Sequence, residues 1–565
     1  MAPIHDPRCA SQVAPEAVGT ANSRFWPTIA VATVLAIVIA AVHFSLDHPY
    51  GIHWDESLYL NEAAIDVQHL RNLQLIKLMG SLLKSGLRPP GYRILALPVT
   101  AVFGFHVTLL RLVTLACYCL SSSLIYSVVR RMESRSVGVL AVLVFGLCTE
   151  IIVSSTYFST EGPLLLATAA LFYYLISYWS GKESLHSSIG VGVAIGLGLL
   201  SKASFALVAF PVLLFCFFNN PSRRRTLFLA RACCIAIVIA GPWWLLNFNQ
   251  ALGYANYARN QYRSSLGTSS LATVARWLGS VCLGLLGPAI SILSILIAAT
   301  SLYKIVVAKK VTLNGTSKTV LIACFCAILP LTVVHMLGTN HLLRYLAPGL
   351  VPLAISAGVL AARSGWLRST AAIAVSGLLL STQLGMILAP VLRPNRVAID
   401  PGLVTGAVPW RVLVRFDQWN WGAVRDITQP CNLSNPKIAY LGNSRAFNPP
   451  QIQYPWIAAG EPAPEVTWLW RYEDGTPNWA NIAALINDID IVLTVPHYTG
   501  QITDRQDLDN QHNAEFVDRL SQDARLRGPI RLRMGRFEPV ELDLFLKATL
   551  SCYPRLALAQ FWPGS

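Results

Sequence analysis

Charged side chains are scarce here: Asp, Glu, Lys and Arg together make up 13% of 565 residues. A soluble domain carries about 25%, so an ordinary water-facing surface is excluded. Acids are the rarer sign, 29 against 44 basic residues, which leaves a net charge of +15. No G-x-G-x-x-G or G-K-[ST] follows a strand-like run, which leaves a nucleotide site without support. No C-x-x-C is paired with a second ligand pair, so no structural zinc is expected. No self-similarity recurs at a period of about 20–50 residues, and no tract is of low complexity, which removes solenoids and coiled coils.

What is present is apolar: hydrophobic residues reach 54% and the mean hydropathy is +0.49. This is the balance of a multispanning membrane protein. The first long run, "FWPTIAVATVLAIVIAAVHF", reads as an uncleaved anchor, because the small residues near its end are followed by bulky His43 and Phe44. Basic clusters recur between alternate runs: Arg130, Arg131 and Arg135; Lys182; Arg223 to Arg225; Lys304, Lys309 and Lys310; Arg363 and Arg368. That is the positive-inside pattern, and it explains the positive excess without a nucleic-acid partner. About eleven spans follow, near 26–45, 107–129, 136–153, 162–179, 188–201, 204–219, 229–247, 276–300, 318–338, 345–362 and 369–390. With residues 1–25 as a cytoplasmic tail, the odd count places the chain after 391 on the far side of the membrane.

Composition changes after Pro390. "KIAYLGNS" (437–444) and "DIDIVLTVP" (488–496) read as strands, "NAEFVDRLSQDARL" (513–526) as a helix, and "IRLRMGRF" (530–537) as an edge strand. The expected fold is therefore a polytopic α-helical membrane protein, 26–390, with a long first outer loop over 46–106 bearing interfacial helices, plus an exported C-terminal α/β domain, 391–565. Of twelve cysteines, Cys431 and Cys552 alone fall in that tail. An oxidising compartment favours a disulfide between them; two buried free thiols are the alternative.

Ionisable groups beside a bilayer are costly and tend to mark a cavity. The first outer loop opens with "HPYGIHWDESLYLNEAA" (48–64), where Asp55 and Glu56 stand side by side among His53, Trp54 and Tyr59. Its remaining ionisable groups include Glu62, Asp66, Lys77, Lys84, Arg88 and Arg93, and "LRPPGYRILALPVTAVFG" (87–104), with Tyr92, reads as a helix lying in the interface. By the same topology Glu161, Lys202, Trp243, Trp244, His341, Arg344 and Tyr345 face this side. Each has a plainer reading. Lys202 and Arg344 could snorkel, Glu161 could cap its helix, the two Trp could anchor at the interface, and His53 and His341 could be satisfied polar groups rather than metal ligands. No metal or other cofactor is expected, since a divalent ion finds no ligand set of convincing spacing.

Carboxylates facing cations at an outer membrane surface suit a lipid-linked sugar phosphate. The phosphate leaving group needs no proton, so one carboxylate suffices to deprotonate an attacking hydroxyl, and Lys or Arg stabilise the charge on departure. Partial desolvation and a neighbouring acid would make that carboxylate a better base.

The elements "HWDESLYLNEA", "RPPGY", "STEGPLLL", "GLGLLSKASF", "GPWWLLN" and "RYLAPGLVPL" occur in that order. Together they resemble the C-superfamily of membrane glycosyltransferases, in the protein O-mannosyltransferase and lipid A aminoarabinose transferase branch, over residues 26–390. The resemblance implies transfer, with inversion, from a polyprenyl-phosphate sugar to an acceptor hydroxyl of a glycan, lipid or protein on the outer face, in a bacterial plasma membrane. It implies Asp55 as the catalytic acid of the first outer loop, Glu56 as its supporting neighbour and Glu161 as the acid of a second site. Lys84, Arg88, Lys202 and Arg344 are implied for the carrier phosphate, with Lys77 and Arg93 competing. His53, Tyr59, Tyr92, His341 and Tyr345 are left to line the substrates. No β-trefoil insertion of the eukaryotic mannosyltransferases is visible. Two rival readings stay open: a lipid or saccharide transporter, and a noncatalytic anchor presenting the tail.

Overall fold

The computed structural model describes residues 28, 31–39, 54–84, 88–219, 221–263, 271–308, 315–337, 343–392, 419–431, 433, 435–442, 447–473, 476–495, 504–535, 540–550 and 552. The amino-terminal tail and half of the first expected span lie outside these, as do residues 393–418, close to the expected start of the second domain at 391, and both His53 and His341.

The chain is a polytopic helical membrane protein. Among the described residues, seven helices are long and apolar enough to cross a membrane: Val107–Met132, Glu161–Trp179, Arg223–Gly253, Pro288–Val307, Gly315–Leu337, Leu343–Arg363 and Thr370–Leu388. Arg135–Gly146 and Thr149–Ser155 form a further pair bent by 70°. The run at 136–153 is thus broken rather than straight. So is 276–300, where Leu271–Ser280 passes through a wide π-type turn, Val281–Leu286, to restart at Pro288; Gly287, at φ 88°, ends one segment and Pro288 begins the next. The fifth and sixth expected spans are short helices, Leu185–Ser201 and Ala206–Phe218.

Local chemistry sets these ends. Ser134 and Ser184 each accept a bond from a backbone N–H three residues on, capping the helices that start at Arg135 and Leu185. Arg130 and Arg131 sit in the last turn of Val107–Met132, where a helix favours cations. A Cβ on Gly192 would lie 2.7 Å from the carbonyl of Ala232, so glycine lets Leu185–Ser201 and Arg223–Arg263 pack backbone to backbone. Trp243 is buried beside Leu200 and Ala240, and Trp244 donates to the Leu199 carbonyl at 3.2 Å; both serve the helix junction.

The first outer loop holds three helices, Trp54–Arg71, Leu75–Leu83 and Gly91–Phe103. A buried Asp66–Arg93 pair joins them: Arg93 Nε donates to Asp66 at 2.6 Å, Ser81 Oγ donates to the same carboxylate at 2.8 Å, and Arg93 Nη1 donates to the Ser81 carbonyl at 3.3 Å. A Cβ on Gly91 would stand 2.7 Å from the Leu200 carbonyl. Glycine there brings the loop against the helix end that carries Lys202.

The C-terminal part is an α/β sheet structure. Its strands are β1 (Lys437–Leu441), β2 (Glu465–Trp468), β3 (Tyr472–Glu473), β4 (Thr476–Pro477), β5 (Ile491–Thr494), β6 (Leu526–Arg533) and β7 (Glu541–Lys547). Five form one sheet in the order β2-β1-β5-β7-β6, and β3 pairs with β4. β1 runs parallel to β2 and β5, while β7 is antiparallel to β5 and β6. β6 is an edge strand, but it starts before the expected 530 and ends at Arg533, because Gly528 and Pro529 are taken up where the register shifts between Arg527 and Ile530. Trp419, Trp421 and Trp456 cover one face; Ile482, Ile486, Phe516 and Leu520 cover the other. Cys431 and Cys552 are disulfide-bonded.

Among the described residues, one helix pair joins the two parts. Helix Pro449–Ala458 lies against Trp54–Arg71, with Asn61 donating to the Pro450 carbonyl and Gln68 to that of Ile457, each at 3.0 Å.

Candidate active site

Helix Trp54–Arg71 begins with two acids in its first turn, the end of a helix that favours negative charge. Adjacent helical residues point about 100° apart, and the two carboxylates have separate partners. Glu56 is fully buried. It accepts Nε and Nη2 of Arg111, both at 2.8 Å, and the Phe158 N–H at 2.9 Å. Three donors on one carboxylate make it a fixed anchor.

Asp55 faces the other way. Its carboxylate is bound by Arg344 and lies 3.5 Å from Arg88 Nη2, which stabilises its negative charge. Its side chain keeps 16% of its surface open. Arg344 belongs to the short helix Leu343–Gly349, so a residue at the start of a late span closes on the start of the first loop. Lys202 ends helix Leu185–Ser201 in an extended conformation, which turns its ammonium onto Glu161 Oε1 at 2.7 Å. Lys202 Nζ also stands 4.3 Å from the centre of the Tyr345 ring, and the Arg88 guanidinium 5.1 Å from that of Tyr59, both cation–π contacts. The two ion pairs form one cluster, since Glu161 is within electrostatic reach of Arg344 and Asp55 as well as Lys202.

The surroundings are aromatic and largely buried. Tyr59, Tyr92 and Phe158 are buried together with Leu60, Ala63, Ala96 and Leu110. Burial pushes the Tyr59 hydroxyl up, against the opposing pull of Arg88. It likewise raises Tyr92, which donates to Glu62, and raises Glu62 itself although Arg93 and that bond work the other way.

The structure therefore brings together Asp55, Arg88, Glu161, Lys202, Arg344, Tyr59 and Tyr345. It does not bring Lys84 in: that residue ends helix Leu75–Leu83, and among the described residues it makes no ion pair. Lys77 is exposed, and Arg93 is committed to Asp66. Tyr92 backs the site through Glu62 instead of facing the cluster's cations. Sequence reasoning missed Arg111 and Glu150. The latter follows the 70° bend and is within electrostatic reach of Glu161, Arg344 and Lys202. Both interrupt apolar runs, and that interruption was an available signal. Among the described residues no three His, Cys, Asp or Glu side chains gather as a metal site requires.

The model of the dolichyl-phosphate-mannose-protein mannosyltransferase family matches residues 87–245, the stretch that holds Arg88, Glu161 and Lys202. No curated protein matches the chain. Among solved structures, ArnT from Cupriavidus metallidurans bound to undecaprenyl phosphate superposes with a TM-score of 0.54 at 14% identity, covering 94% of this chain and 99% of that one. Its apo state gives 0.54 at 13%, covering 92% and 98%. Arabinofuranosyltransferase AftD from Mycobacteria gives 0.51 at 14%, over 94% of this chain and 42% of the other. At such identities the likeness is one of fold. The family match over 87–245 and the shared fold together bear out the resemblance to membrane glycosyltransferases read from the sequence.

Proposed function

We propose that this chain is an inverting glycosyltransferase, moving a hexosyl or pentosyl group from a polyprenyl-phosphate donor to an acceptor hydroxyl on the outer face of a bacterial plasma membrane. The observation that carries this reading is the cluster itself. Asp55 is shared by Arg88 and Arg344 while Glu161 holds Lys202, so three cations and two acids meet in a partly enclosed site. A phosphodiester adds one negative charge there. It competes with Asp55 for Arg88 and Arg344, and the carboxylate is released as the donor binds.

Chemistry then needs one proton transfer. The acceptor oxygen attacks the anomeric carbon from the face opposite the phosphate, its proton passing to Asp55 as the new C–O bond forms. The anomeric carbon–phosphate oxygen bond breaks, and its electron pair leaves on the polyprenyl phosphate, where Arg88, Arg344 and Lys202 stabilise the charge. Glu161 orients Lys202. Glu56, held by Arg111, fixes the helix start from behind. Tyr59 and Tyr345 supply ring faces beside the cations. Among the structural neighbours, ArnT bound to undecaprenyl phosphate supports a lipid-linked donor, and an arabinofuranosyltransferase supports transfer of a sugar. The acceptor, whether glycan, lipid or protein, approaches from the side of the C-terminal domain, which this topology exports while the amino terminus stays cytoplasmic.

Purified protein reconstituted in liposomes and supplied with polyprenyl-phosphate sugars tests the reading. Release of polyprenyl phosphate with sugar on an acceptor supports it. Movement of donor across the bilayer without cleavage would make the protein a transporter.

A further inference from the structure

The C-terminal domain packs directly on the catalytic helix. Helix Pro449–Ala458 is clamped to Trp54–Arg71 by Asn61 and Gln68, two turns apart on one face of that helix. Between the clamps projects Tyr454. It packs with the aromatic cluster of Tyr59, Tyr92 and Phe158, its ring 6.3 Å from that of Phe105. It is within electrostatic reach of both Glu56 and Arg111. Among the described residues, it is the cluster's one contribution from beyond the membrane module.

We infer that Tyr454 is a positioning residue for Asp55, and that the C-terminal domain is thereby a working part of the transferase site. The inference rests on the function proposed above. Glu56 is the neighbour of Asp55 in the helix's first turn, so whatever fixes Glu56 also fixes the direction in which Asp55 points. Glu56 is fixed by Arg111 and the Phe158 N–H. A pair of this kind is held the more firmly the better water is kept from it. Tyr454 packs against the same cluster within electrostatic reach of Glu56 and Arg111, and a phenol is uncharged at neutral pH, so it adds apolar cover on that side without adding charge. Removing that ring admits water behind Glu56 and lets the helix start turn. A misplacement of about 1 Å at the reacting atoms costs about 100-fold in rate, and Asp55 is one residue away.

Three variants test this, beside wild type as control: Tyr454→Ala, Tyr454→Leu and Tyr454→Phe. Transfer is measured in liposomes, folding by the thermal midpoint in detergent. Tyr454→Ala is expected to lower kcat by about 10- to 100-fold while the donor KM stays within about threefold, the pattern of a mis-set catalytic group. Tyr454→Phe keeps the ring and is expected within about threefold of wild type, since exclusion of water is what the ring supplies. Should Tyr454→Ala fail to fold, Tyr454→Leu, which retains apolar bulk, replaces it with the same expected split. An unchanged kcat in the folded variant overturns the inference, as does a change confined to KM, or a Phe variant as impaired as Ala. A wild-type protein without transfer activity refutes the proposed function instead and is read from the control alone.

Discussion

Arg344 binds Asp55 across 289 positions of sequence, and Arg88 approaches the same carboxylate from within the first loop. In the proposed mechanism a base held by two cations is idle until something displaces it, and the donor phosphate is the natural competitor. Asp55→Asn keeps the size of the side chain and a carbonyl oxygen for the arginines, but not the proton acceptor. Its kcat should fall by roughly 100- to 10,000-fold, while polyprenyl phosphate binds at least as tightly in a direct assay, because the neutral amide competes less for Arg88 and Arg344. Retention of near-normal turnover would remove Asp55 from the base role.

Arg344→Lys tests the other partner. Lysine keeps the charge but loses the planar fork that can bind two phosphate oxygens once Asp55 is displaced. The donor Kd should rise, by about tenfold for a loss of about 1.4 kcal/mol of charge-assisted bonding. Titration with sugar-free polyprenyl phosphate checks this without requiring catalysis.

Glu161 and Lys202 allow stability and activity to be separated. Lys202→Met alone leaves a buried carboxylate without its ammonium, a change that costs about 3–5 kcal/mol where no other cation replaces it. Arg344 lies within reach of Glu161, so the lower end is expected. Glu161→Gln combined with Lys202→Met removes both charges and should restore most of the thermal midpoint but not transfer activity. Differential scanning fluorimetry alongside the transfer assay would show it.

Much of this arrangement was legible in the sequence, and the limits have physical causes. Hydropathy marks a helix such as Gly315–Leu337 within a few residues of the expected 318–338, because crossing a bilayer demands length and apolarity together. It does not mark breaks within an apolar run, so the 70° bend after Gly146 and the restart at Pro288 went unseen. Topology could assign Asp55, Glu161, Lys202 and Arg344 to one side of the membrane. It could not pair them, because pairing depends on helix packing. Lys84 and Arg88 stand four positions apart and read alike, yet one ends a helix while the other turns to Asp55. Tyr454 carried no signal, since its role exists only once helix Pro449–Ala458 docks.

Glu62 makes a pH dependence. Its pKa is raised in the folded protein, chiefly by burial, so the folded state binds its proton more tightly than the unfolded chain does. Stability from this residue is therefore full below the ordinary carboxylate pKa and is lost as pH rises through the raised folded value. Glu62→Gln removes the titration while leaving an oxygen to accept from Tyr92. The variant should match wild type in acid and be the more stable of the two at neutral pH. Thermal midpoints compared at both conditions decide it, and an equal pH slope for the two proteins would count against a buried Glu62.

The disulfide between Cys431 and Cys552 closes a loop of 121 residues around the sheet that presents Tyr454. Removing a native disulfide typically costs about 2–5 kcal/mol. Cys431→Ser combined with Cys552→Ser should lower the thermal midpoint of the C-terminal sheet and leave the membrane helices folded, because these cysteines pack in the cluster of Trp419, Trp421 and Trp456 and not in the membrane core. If that sheet holds Tyr454 in place, transfer should weaken as the sheet melts, at a lower temperature than in wild type. Alkylation of the unreduced protein isolated from cells gives an independent check: both thiols should be protected until a reductant is added, as an oxidising compartment requires, and free thiols at both positions would argue against export of the domain.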